Sequence, residues 1–178
     1  MWSASARHRG FLAAFLAGAI LLFVDVSHAQ NAIQQGRRQA AVAQSVFDGD
    51  AVATVRLGAS EHDINTLLGA PDSEDTTDSE RIWRYLLRGG VTLEVHLVGS
   101  LVAAIAMRAP DGTPALASPK TLRGIRLGAP IGQVVERYGP PTDGKLWYST
   151  QGIAFNVDGS ANTVRSILVV PRGTMPPP

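Results

Sequence analysis

The chain of 178 residues contains no cysteine. That absence excludes a disulfide framework, a cysteine nucleophile and a lipid-modified cysteine anchor together. Histidine is scarce as well: of four, only His62 and His96 lie beyond the first 29 residues. With no Gly-x-Ser-x-Gly either, nucleophilic catalysis finds no support. No apolar run is long enough to cross a bilayer, because the longest, residues 11–24, falls short of the roughly 20 residues a helix needs. An excess of one charge sign is also missing. Beyond residue 29 the chain carries 14 basic and 14 acidic residues, so it lacks the basic field that marks nucleic-acid and anionic-membrane binders.

What stands at the front is an address. Arg7, His8 and Arg9 form a basic start, residues 11–24 an apolar centre, and Ser27-His28-Ala29 the small residues of a cleavage site. Residues 1–29 therefore read as a signal peptide cleaved near Ala29-Gln30, with a periplasmic or secreted destination. An exported domain without disulfides must be held by its own core, and about 150 residues suffice for one.

The rest says the same thing twice. Arg56-Leu57-Gly58-Ala59 returns as Arg126-Leu127-Gly128-Ala129, and Gly69-x-Pro71 returns at the same offset as Gly139-x-Pro141. Trp83 is answered by Trp147, and the alternation Val91, Leu93, Val95 by Ile153, Phe155, Val157. The shortening between copies falls after the prolines, where loop length is cheapest to change. The organisation expected is a helix or linker over 30–52, repeat 1 over 53–110, a linker over 111–120, repeat 2 over 121–172 and a Pro-rich tail over 173–178. The helix in the first of these segments is placed from Gln34 to Val46, with Phe47-Asp48-Gly49-Asp50 breaking it.

Each copy has a helix with a defined start and stop. In the first, Ser60 is a natural N-cap with Asp63 in capping-box position. Ile64, Leu67 and Leu68 make one apolar stripe. In the second, Pro130 opens the helix and Ile131, Val134, Val135 and Tyr138 form the stripe. Gly69 and Gly139 are expected at the helix C-termini with positive φ, and Pro71 and Pro141 forbid continuation. A substitution at Gly49, outside both copies, is expected to matter much less. Three strands follow each helix, with period-two alternation and Gly turns at hairpin spacing. The fold class expected is thus α+β, two tandem helix–three-strand antiparallel repeats with the helices on one side, stacked because one helix on three strands buries too little.

The order of these motifs, an apolar-x-Leu-Gly turn, a short helix, Leu/Tyr-Gly-x-Pro, an aromatic strand, an alternating strand and a closing strand, resembles the repeat of β-lactamase inhibitory proteins. It is equally similar to the small outer-membrane lipoproteins of the SmpA/OmlA family. The resemblance implies a scaffold whose sheet grips an enzyme, or one that serves outer-membrane protein assembly. Two departures accompany it: the inhibitory proteins carry cysteines, and the lipoproteins a lipidated N-terminal cysteine and usually one repeat.

Candidate functional residues are polar groups at strand positions. Arg84 and Arg88 alternate with Trp83 and Tyr85, while Thr92, Glu94 and His96 share one face of the next strand. With Asn156, Asp158 and Arg165 of the second copy they compose the expected surface for a protein partner. Glu94 and His96 at i, i+2 also suit an acid–base pair or half a metal site, so a hydrolase or metal binder is the weaker alternative, and a structural envelope component the stronger one. No cofactor is implied. Asp72, Glu74, Asp75, Asp78 and Glu80 crowd one segment without EF-hand spacing and read as a solvated acidic loop. Charge is uneven between the copies: eight carboxylates against five arginines over 56–108, three against seven basic residues over 120–172.

Overall fold

The computed structural model describes residues 32, 33, 36, 46–110, 118–141 and 144–174. The expected signal peptide, the body of the 34–46 helix, most of the 111–120 linker and the last four residues of the tail lie outside them. The chain divides into two units, residues 1–36 and 37–178. Of the first unit only the helical residues 32, 33 and 36 are described; everything below concerns the second.

Its described residues are α+β, with two α-helices and two antiparallel sheets. Three two-residue strands, β1 (Val46–Phe47), β2 (Ala51–Val52) and β3 (Val55–Arg56), form a small sheet. Helix α1 (Glu61–Leu68) follows. Then come β4 (Ser73–Thr76), β5 (Arg81–Leu86), β6 (Thr92–Val98) and β7 (Leu101–Arg108). Helix α2 (Ile131–Tyr138) precedes β8 (Trp147–Tyr148), β9 (Ile153–Asp158) and β10 (Thr163–Val169). The seven later strands make one sheet in the order β4-β5-β6-β7-β10-β9-β8, so two meanders meet along their last strands.

Local chemistry sets the helix ends. Ser60 and Asp63 close a capping box: the Asp63 N–H donates to Ser60 Oγ at 3.2 Å and the Ser60 N–H to Asp63 Oδ2 at 3.1 Å. These bonds hold the Asp63 carboxyl below its ordinary pKa of 3.8. Gly69 and Gly139 end the helices with φ of 76° and 97°. Their ψ values, −168° and 177°, place both outside the left-handed helical well, in a region essentially reserved for glycine. The carbonyl each exposes is caught by a tyrosine of the sheet: Tyr85 OH donates to Gly69 O at 3.2 Å and Tyr148 OH to Gly139 O at 2.9 Å.

The core lies between the helices and one face of the large sheet. Register puts Trp83, Tyr85, Leu93, Val95, Ile105, Met107, Ile167, Val169, Phe155, Ile153 and Tyr148 on that face, and all are buried. Ile64 and Leu68 of α1 and Val134 and Tyr138 of α2 pack into the same cluster. Tyr138 lies 5.1 Å from the Tyr148 ring and 5.0 Å from that of Phe155. Leu127 is buried and Leu57 half-buried against the cluster, while the turn glycines Gly58 and Gly128 both have positive φ.

Four expectations need correction. Val46–Phe47 is a strand paired with β2, so no helix reaches Val46. The acidic segment is no plain loop, because Ser73–Thr76 forms the edge strand β4, fully exposed and paired with β5; four strands therefore follow α1. Trp83 and Trp147 are not equivalent: Trp147 pairs with Ala154, and the buried residues on either side of it, Leu146 and Tyr148, take the inward positions. A one-residue difference in register turns a side chain to the opposite face. Gly49 is no neutral position either. A Cβ there would lie 2.5 Å from Arg172 Cγ and 2.7 Å from Gln151 O, at φ +70°.

Candidate functional site

The face of the large sheet turned away from the helices carries the polar candidates. Cross-strand pairing lines up Ser73, Arg84, Glu94, Ala106, Leu168, Ala154 and Trp147 in one row over all seven strands. A parallel row runs Leu86, Thr92, Arg108, Ser166, Asn156, and a shorter one Asp75, Ile82, His96, Ala104. At about 4.8 Å per strand the full row spans about 29 Å.

Glu94 is the electrostatic centre. It is only 8 % exposed, yet its carboxylate is well served. Arg84 Nε donates to Oε1 at 3.2 Å and Arg108 donates to Oε2 at 3.5 Å, with His96 Nε2 4.0 Å away. Two outer carboxylates complete the network. Arg84 donates a second bond to Asp75 at 2.6 Å, and His96 Nδ1 stands 2.7 Å from Glu80. A carboxylate only accepts, so this contact sets the Nδ1–H tautomer of the ring. The Asp75 and Glu94 bonds together raise the Arg84 pKa. A buried carboxylate without such partners would cost several kcal/mol of desolvation; with them it holds the Arg84 and Arg108 guanidinium groups against the sheet. On the far side the relief is low, because Ala106, Ala154 and Ser166 are small and buried. Asn156 bonds Ser166 at 2.9 Å, and half-buried Leu168 and Trp147 flank them.

Arg84, Thr92, Glu94, His96 and Asn156 thus share one face. Two other expected residues do not join them. Arg88 lies in the exposed 3₁₀ turn Arg88–Gly90. Asp158 folds back on its own turn, accepting from the Ser160 N–H and Oγ, which lowers its pKa. Arg165 is the extra residue of a β-bulge between Val164 and Ser166, outside the regular alternation of the face. Sequence reasoning missed Arg108, Asp75 and Glu80. A shift in register between His96 and Leu97 breaks the alternation that would have placed Arg108, and the short, fully exposed strand Ser73–Thr76 offers no apolar alternation to read.

The acid–base reading of Glu94 and His96 meets a chemical obstacle, since two guanidinium groups already occupy the Glu94 carboxylate. Among the described residues no group of three or more His, Asp or Glu is arranged to hold a metal ion. No helix among them is long and apolar enough to cross a membrane.

No protein-family model and no curated protein matches the sequence. Solved structures do. One is a cysteine-rich secretory protein from Staphylococcus aureus, with TM-score 0.46 and 10 % identity, covering 73 % of this chain and 49 % of that one. Another is an extracellular protein containing an SCP domain from Bacillus anthracis, with TM-score 0.47 and 6 % identity, covering 66 % and 44 %. The chain spans less than half the length of either. These neighbours correct the resemblance to β-lactamase inhibitory proteins and SmpA/OmlA lipoproteins. The physical reason is that Leu-Gly and Gly-x-Pro are cap and turn signals, which any short helix between extended segments uses.

Proposed function

We propose that this chain is an exported, non-enzymatic binding module that presents the open face of its seven-stranded sheet to a protein partner. Export is supported by the leader-like residues 1–29. The observation that carries the binding reading is the charged and apolar division of one continuous face. Arg84 on β5 and Arg108 on β7, held by Glu94, make the charged part, and Leu168 on β10 and Trp147 on β8 the apolar part, with the small Ala106, Ser166 and Ala154 set among them. Side chains already fixed by ion pairs and packing lose little freedom on binding. The partner segment that fits bears a carboxylate for Arg108, which is 50 % exposed, and an apolar side chain for the Trp147 end.

The face is built by two packed copies of one unit. This reading is supported by bonds that recur between the halves. Gly58 N–H donates to Val102 O at 2.8 Å and Gly128 N–H to Val164 O at 2.7 Å; Val102 N–H donates to Ala59 O at 2.9 Å and Val164 N–H to Ala129 O at 2.8 Å.

A photo-crosslinking side chain at Leu168, in the full chain mixed with envelope extract, is expected to give a discrete adduct. The adduct should vanish in Arg108→Glu and in Trp147→Ala, since removing a central anchor costs about 2 kcal/mol or more of binding. The same adduct from a crosslinker at the exposed His62 of α1, or its survival in both variants, overturns the reading.

A further inference from the structure

A second site stands apart from the sheet face and shares no residue with it. The β1–β2 turn, the segment after Thr121 and the turns at 149–152 and 172 enclose an open cleft of about 390 Å³. It is lined by Phe47, Asp48, Asp50, Leu122, Arg123, Thr150, Gln151 and Arg172.

Opposite charges share this cleft without pairing. Among the described residues no carboxylate lies within 4.0 Å of Arg123 or Arg172. Three of the four charged groups are tied to neutral partners instead. Arg123 donates to the Arg137 carbonyl at 2.7 Å, with its guanidinium 4.8 Å from the Tyr138 ring centre. Arg172 donates to the Asp48 backbone carbonyl at 3.3 Å. Asp48 accepts the Tyr138 hydroxyl on both oxygens, at 3.1 and 3.0 Å. Surface charges free to move collapse into pairs; here the anchors keep them apart. The walls are held as well, because Gly49 and Gly152 let two backbone turns meet where a Cβ on Gly152 would lie 2.5 Å from Gly49 Cα. Leu122, 65 % exposed, adds an apolar lip beside Phe47.

We propose that this cleft binds a small zwitterion, an α-amino acid with an apolar side chain, its carboxylate on Arg123 and Arg172, its ammonium on Asp50 and Asp48, and its side chain on Leu122 and Phe47. A preformed bipolar cleft rewards a ligand that carries both charges over one that carries either alone. Burial raises the Asp48 pKa while Arg123 and Arg172 act through space to lower it, which places both guanidinium groups electrostatically close to that carboxyl.

Isothermal titration of the purified chain with L-leucine, N-acetyl-L-leucine, L-leucinamide and inorganic phosphate tests this. L-leucine is expected to bind, with both blocked analogues weaker by about tenfold or more, since each loses a charge-assisted bond. Arg172→Gln and Asp50→Asn should each weaken L-leucine by a similar factor, with unchanged far-ultraviolet circular dichroism showing that they fold. Leu122→Ser, at an exposed position, should weaken it less. Failure of L-leucine to bind, equal binding of the blocked analogues, or phosphate binding as tightly as L-leucine overturns the proposal.

Discussion

Two glycines of α2 should respond in opposite directions to the same substitution. Gly132 lies in the first turn with exposed, ordinary backbone, and Gly139 ends the helix at φ 97° and ψ 177°. A Cβ on either meets nothing within 4 Å, so packing is removed from the comparison and backbone conformation alone decides. Gly132→Ala lowers the entropy of the unfolded chain and is expected to stabilise by about 0.5 kcal/mol. Gly139→Ala forces an L-residue into a region essentially reserved for glycine, at a cost of about 1–3 kcal/mol. For a cooperative unit of this size roughly 4 °C accompanies each kcal/mol. Gly139→Ala should therefore lower Tm by about 4–12 °C, and Gly132→Ala should raise it by about 2 °C. Gly49→Ala should cost more than either, because its Cβ would collide with backbone as well as adopting positive φ. Scanning calorimetry of the four proteins at one pH gives the ranking. Shifts of the same sign for Gly132 and Gly139, or a Gly49→Ala variant as stable as wild type, would refute the conformational argument.

Asp63 should report on acid unfolding. Its folded pKa is lowered by Ser60, so its contribution is present above 3.8 and is lost as pH falls through the folded value; Asp63→Asn should lower Tm at pH 7 and converge with wild type near the acid end of the melt series. Asp48 has the opposite sign: its folded pKa is raised, chiefly by burial, so its contribution is present below 3.8 and lost as pH rises. Asp48→Asn should therefore cost more at acid than at neutral pH, and the reverse order in the same series would contradict it. Glu94→Ala should destabilise by about 2 kcal/mol, by leaving Arg84 and Arg108 without their shared acceptor; an equilibrium urea titration that shows no change would mean the arginines find other partners at no cost.

Much of the local structure was legible because it rests on short-range chemistry. Ser60 with Asp63, Gly69 with Pro71, and Gly139 with Pro141 are separated by two or three residues and announce helix ends from their own geometry. Alternation at Thr92, Glu94 and His96 placed three polar residues on one face for the same reason. The site around them was less legible. Glu94 acquires its meaning from Arg84, Arg108 and Asp75 on three different strands and from Glu80 in the β4–β5 connection, and a register shift in one of those strands hides Arg108 from any counting rule.

The sequence by itself determined the boundaries of α1 and α2 and the alternating strands, because each depends on neighbours along the chain, and composition alone removed thiol chemistry. Only the tertiary structure decided that both meanders join in one sheet through β7 and β10, that Trp147 faces away from the core while Trp83 faces in, and that Gly49 is wedged against Gln151 and Arg172. Each of those facts is a contact between residues far apart in sequence. Residues of ordinary type become singular there through register and close approach, quantities that no local pattern encodes.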